Sequence, residues 1–209
     1  MTLQPSRCVL FILGGLLALA AAAVPGCSEE PETAVEQIQE LEKSGNVDAL
    51  AKRAIEAEPT EGRLAVRSLA RMGRKAEPAL RQTMRKGNPP VRAEAALVYP
   101  TVTDRDKAQE PLSDLARDDA EPYVRAAAVT ALGHMRAMDS METLFAALND
   151  PNPVVRRRAA DAVTRIMGRS YELFVNGPEE KRLTAIEGLR QDWSQEQSGI
   201  RKYFKRDRK

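Results

Sequence analysis

Apolar positions recur three and four residues apart within short stretches of this chain, and the same stretch then returns. The clearest copy runs Pro122-Tyr123-Val124-Arg125-Ala126-Ala127-Ala128-Val129-Thr130-Ala131-Leu132-Gly133, where Val124, Ala128, Val129, Leu132 and Met135 form one stripe at helical spacing. A second copy runs Pro153-Val154-Val155-Arg156 into Ala159-Ala160 and Ala162-Val163, and an earlier one runs Pro90-Val91-Arg92 into Ala95-Ala96-Leu97. A weaker copy over Glu61–Gly73 places Gly62 where the others carry arginine. The anchors 62, 92, 125 and 156 are spaced by 30, 33 and 31 residues. Between them a second helical pattern is anchored by Leu80, Leu112 and Leu144, spaced by 32 and 32. Two patterns repeating in phase predict a helical hairpin as the unit. One hairpin cannot bury its stripe alone, so neighbours stack into a solenoid.

Junction residues support the unit. Asn149-Asp150-Pro151-Asn152-Pro153 interrupts the pattern, because proline cannot continue a helix yet suits a first turn. Asn88 and Asp118-Asp119 occupy matching junctions and are expected to cap the helices that follow. Tyr99-Pro100 departs from the pattern, and Pro100 should bend or shorten its helix.

These residues resemble HEAT repeats, in the short bacterial form called HEAT-like or phycobilin-lyase-type. That family's pattern is Asp-Pro, Val-Arg, Ala-Ala and Leu-Gly, then a second helix ending Leu-x-Asp. The resemblance covers residues 60–168 and implies an all-α superhelix, a HEAT-like solenoid of stacked helical hairpins. Residues 33–59 are expected to form an N-terminal capping hairpin, and residues 169–197 the closing helices. The resemblance also implies that Arg92, Arg125 and Arg156 pair with junction aspartates of neighbouring units, with Asp118, Asp119 and Asp150 available.

The N-terminus carries a different signal. Arg7, an apolar run and small residues lead into Val24-Pro25-Gly26-Cys27, which resembles a bacterial lipobox. The resemblance implies a signal peptide over residues 1–26, acylation at Cys27, and a tether over residues 27–32. Two acyl chains hold a protein on a bilayer durably. Ser28 after the cysteine implies the outer membrane, so the expected address is the cell envelope, lipid-anchored and facing the periplasm. An uncleaved anchor and ordinary secretion are the alternatives, although the apolar run is short for a span of about 20 residues.

Composition then excludes several classes. The only cysteines are Cys8 and Cys27, so the mature domain would have neither disulfide nor nucleophilic thiol. Lys and Arg number 32 against 30 Asp and Glu, a balance that provides no whole-domain field for nucleic acid. His134 is the only histidine. The paired His-Glu iron site of one relative of this repeat class, deoxyhypusine hydroxylase, cannot be built around it, and zinc lacks ligands likewise. There is no phosphate loop and no nucleophile elbow.

The termini are oppositely charged. Residues 28–60 hold nine acidic and three basic side chains. The tail over residues 198–209 ends with Arg201, Lys202, Lys205, Arg206, Arg208 and Lys209 around a single acid, a candidate contact for polyanions or anionic lipid. A solvated tail is the alternative. These features lead to the expectation of a membrane-anchored, non-catalytic scaffold that binds an envelope protein, without cofactor, metal or enzymatic activity. Self-association through the opposite ends is a further expectation. An envelope-polymer role for the tail and, by analogy with the repeat class, a lyase or oxidoreductase role are the other readings.

Overall fold

Helix starts are written into the chain at proline and at short polar side chains. The structure, a computed structural model, describes residues 33–206, with side chains through residue 197. Thr33 opens α1 (Ala34–Lys43) with a reciprocal cap, its side chain accepting from the Glu36 N–H while the Glu36 carboxylate accepts from the Thr33 N–H. Asn46 caps α2 (Val47–Glu56) by accepting from the Ala49 N–H at 3.0 Å. Pro59, Pro89, Pro122 and Pro153 occupy the first turns of α3 (Pro59–Arg71), α5 (Pro89–Val98), α7 (Pro122–Met135) and α9 (Pro153–Met167). Between them lie α4 (Glu77–Lys86), α6 (Arg105–Asp118) and α8 (Met141–Ala147), and α10 (Glu179–Arg206) closes the chain. Among the described residues there are ten α-helices and no strand.

The helices form two layers. In one, α1, α3, α5, α7 and α9 pack each on the next; in the other lie α2, α4, α6 and α8. The repeat anchors are where the layers meet: Leu80, Leu112 and Leu144 of the second layer are fully buried, as are Val124, Ala128, Val129 and Leu132 of α7. This is an all-α helical repeat solenoid. Helix α7 is apolar nearly all round because neighbours enclose it, with α5 on one side, α9 on the other and α6 behind.

Small residues set the spacing of the first layer. A Cβ built on Gly133 would lie 2.6 Å from the Ala162 Cβ and 2.8 Å from its Cα, so α7 and α9 meet at this glycine. Gly62 is equally constrained, its virtual Cβ lying 2.7 Å from Val91 Cγ2 and 2.9 Å from the Ala54 carbonyl. That crowding explains why the weakest repeat carries glycine at the arginine position: a guanidinium has no room there.

The break at Pro100 takes a specific form. Helix α5 ends at Val98, and Tyr99–Thr101 continues as one 3-10 turn. Tyr99 is thereby turned into the core, fully buried, with its hydroxyl donating to the Glu77 carboxylate and accepting from Arg81 Nε at 3.1 Å. Burial, with the Glu77 carboxylate beside it, pushes this phenol above its ordinary pKa.

Candidate functional site

The arginine series forms a ladder along the junctions. Arg92 grips Asp119 through Nε at 2.8 Å and through a second guanidinium nitrogen at 2.7 Å. Arg125 grips Asp150 in the same way at 2.8 and 2.9 Å. Each arginine also donates to a carbonyl at its own junction: Arg92 to Gly87 at 3.0 Å, Arg125 to Asp119 at 2.8 Å, and Arg156 to Asp150 at 2.8 Å. A junction aspartate thus offers its side chain to one unit and its carbonyl to the next. Its carboxylate also fixes the turn, since Asp119 accepts the Glu121 N–H and Asp150 accepts the Asn152 N–H.

Three residues depart from the sequence expectation. Asp118 is exposed at the end of α6 and makes none of the arginine pairs; Asp119 holds the rung instead. Arg156 has no aspartate ahead of it and donates Nε to the Val175 carbonyl at 2.7 Å. Asp119 does not cap α7 at its first turn, where the N-cap residue is Glu121 without a side-chain bond, whereas Asn88 does cap α5. Sequence reasoning also missed Arg182, which donates to the Gly177 carbonyl at 2.6 Å and to Asn149 Oδ1 at 3.0 Å. Pro178, four residues before it, was the available signal.

The ladder arginines point into the junctions, so the same helices present other residues outward, in a grid. Two residues before each rung stand Pro90, Tyr123 and Val154; one or two after it stand Ala93 and Glu94, then Ala126 and Ala127, then Arg158. Together with Leu97 of α5, these line an open groove of about 560 Å³ across α3, α5, α7 and α9. Leu97, Tyr123 and Val154 are 46, 45 and 54% exposed, three of the six large apolar side chains left in solvent among the described residues. The alanines form the floor. Charge stands at both ends: Glu94 accepts from Arg63 at 3.3 Å and from Arg67 at 2.7 Å, while Arg158 lies 3.9 Å from Asp161. The Glu94 hydrogen bond holds the Arg67 guanidinium above its ordinary pKa.

His134 is exposed at the end of α7 and lines the same groove, beside Thr130 and Arg158. A second cavity, about 360 Å³, opens between α4 and α6, where Asp118 faces it with Arg85 and Asp114. Among the described residues no three of His, Cys, Asp and Glu converge on a point that would hold a metal ion, and no helix is long and apolar enough to cross a membrane. The Val24, Pro25, Gly26 and Cys27 quartet lies outside the described residues, and the basic tail from Arg201 to Lys209 lies outside the described side chains.

Comparison with known proteins agrees with this geometry. The HEAT-repeat family matches residues 109–190. No curated protein matches the chain. Among solved structures, the complex of CpcE and CpcF of phycocyanin lyase from Nostoc sp. PCC7120 matches with a TM-score of 0.51 and 20% identity, over 70% of this chain and 99% of that one. At that identity the likeness establishes a shared fold.

The match corrects the expectation of a non-catalytic scaffold and the exclusion of an enzyme role. Both rested on the lack of a local catalytic motif in a repeat array. A chain of this fold belongs to a lyase built from two proteins, so such a lack does not separate a scaffold from a lyase subunit. The surface of a solenoid extends over several repeats, so residues that share a site are far apart in sequence and form no short motif.

Proposed function

We propose that this helical repeat chain, whose residues 109–190 match the HEAT-repeat family, acts as the partner-binding subunit of a lyase-type assembly, with the groove over α3, α5, α7 and α9 as its working surface. The observation that carries this reading is the concentration of Leu97, Tyr123 and Val154, half-exposed, over an alanine floor on three successive helices of one layer. Exposed apolar side chains gathered in one concavity mark an interaction site. The likeness to a chain from a two-protein lyase supports the same reading.

The test is photo-crosslinking from position 97 in the native cell, with Gln82, exposed on α4 in the other layer, as the control. A discrete protein captured from position 97 and not from position 82 supports the groove as the partner surface. Incubating the two purified proteins with the small-molecule fraction of the same cells should then change the partner's mass, by addition of a group taken from that fraction or by its release into it. Capture without any mass change overturns the lyase part of the reading, and no capture from position 97 overturns the groove.

The address is a separate proposal and rests on the Val24-Pro25-Gly26-Cys27 quartet: acylation at Cys27 and an envelope location, with Arg201, Lys202, Lys205, Arg206, Arg208 and Lys209 supplying the charge for anionic lipid.

A further inference from the structure

The groove has a geometry that selects its occupant. Its apolar points lie in a row, Pro90 on α5, Tyr123 on α7 and Val154 on α9, each two residues before its rung. Neighbouring packed helices stand about 8–10 Å apart, so the row repeats at that interval. A ligand lying along the row must present an apolar group at the same interval. In an α-helix, seven residues advance about 10.5 Å and return to the same face. In an extended segment, three residues cover about 10 Å but turn alternate contacts to opposite faces. The row therefore fits a helix with apolar residues every seventh position. The floor of Ala93, Ala126 and Ala127 lets a helix backbone approach closely.

Charge selects further. At the α3 end two guanidiniums, Arg63 and Arg67, share the single Glu94 carboxylate. At the α9 end Arg158 lines the groove and, with Arg165, stands around the single Asp161, which lies 3.9 Å from Arg158. Each end of the trough keeps one positive charge in excess, and its middle is neutral. From α3 to α9 is three interhelical steps, about 27 Å, the length of roughly 18 helical residues.

We propose that the groove binds an amphipathic helix of the partner protein, with apolar residues at every seventh position and carboxylates near both ends. This deepens the groove reading above and rests on it. It names the chemistry of the segment that crosslinking from position 97 would capture.

The experiment is fluorescence anisotropy on the full chain with three labelled peptides of about 20 residues. One carries leucine at every seventh position with glutamate flanks, one carries lysine in place of glutamate, and one keeps the composition of the first with the leucines at every fifth. The first should bind at least tenfold tighter than the second at low salt, with the ratio closing as ionic strength rises past about 0.5 M, where screening acts within a few ångströms. The third should bind at least tenfold weaker than the first. Val154→Asp and the pair Arg63→Glu with Arg158→Glu change exposed side chains; the former should abolish binding and the latter should reverse the charge preference at an unchanged melting temperature. Equal binding of the first two peptides, or of the first and third, overturns the inference. If position 97 captures a protein in cells while the acidic peptide has no advantage, the occupant is wrong and the groove reading stands. If nothing is captured from position 97, the groove reading itself falls.

Discussion

Gly133 of α7 faces Ala162 of α9 with no room for a side chain between them: a Cβ on the glycine would stand 2.6 Å from the alanine Cβ. The obstructing atoms include the Ala162 Cα at 2.8 Å, so no side-chain rotation relieves the clash. Gly133→Ala would gain about 1 kcal/mol in helix propensity, yet forcing two helices apart in a packed layer costs about 1–3 kcal/mol. The variant should melt lower than the parent by thermal circular dichroism, and adding Ala162→Gly should recover most of the loss. A Gly133→Ala variant as stable as the parent would show that the layer yields freely at this point.

Arg125→Ala should cost far more than the loss of an exposed ion pair. Its partner Asp150 has a side chain only 9% exposed and would keep its charge without a counter-ion. Breaking a buried pair from one side costs about 3–5 kcal/mol. Arg74→Ala removes a pair whose members are 79 and 46% exposed, and should change stability by less than about 1 kcal/mol. Urea midpoints of the two variants measure the contrast. Arg125→Lys should rescue little, because an ammonium cannot span both carboxylate oxygens and two carbonyls.

Tyr99 makes stability sensitive to alkaline pH. Its phenol ionises above its ordinary value of about 10 in the folded chain, chiefly through burial. Between the unfolded and folded values the folded state holds the extra proton, so stability is full below pH of about 10 and falls as pH rises through the folded value. Tyr99→Phe should cost about 1 kcal/mol at neutral pH, leaving Glu77 and Arg81 without the hydroxyl, and should flatten the decline above pH 10. An identical alkaline decline in both proteins would remove Tyr99 as its source.

Ala128→Asp and Leu132→Asp should each unfold the array, because both positions are fully sealed between α7 and its neighbours and a carboxylate there has no partner. Loss of helical ellipticity at room temperature is the expected reading.

For the envelope address, Cys27→Ser should abolish incorporation of labelled fatty acid and leave the precursor at its full mass. Normal labelling of the variant would refute acylation at Cys27.

Much of the ladder was legible because its residues recur at a fixed offset. Asp119 and Asp150 each stand six residues before an arginine, a spacing that singles out Asp119 over its neighbour Asp118 once both copies are compared. The groove was less legible. Leu97, Tyr123 and Val154 are too far apart in sequence to read as one site, and each taken alone is an unremarkable exposed apolar residue on a helix. Tyr99 was legible only as a disturbance beside Pro100; that the disturbance places a phenol between Glu77 and Arg81 depends on where α4 lies.

Local periodicity and breaker residues by themselves determined that this protein is an array of helical hairpins, where its units begin, and which stripe of each helix is buried, because those properties depend on neighbours within one or two turns. The tertiary structure decided which aspartate each arginine holds, why Gly62 and Gly133 must lack a side chain, and that residues of four different helices share one groove. Those outcomes depend on how closely successive hairpins approach across about 30 residues of chain, a distance set by the packing of many small side chains at once and encoded at no single position.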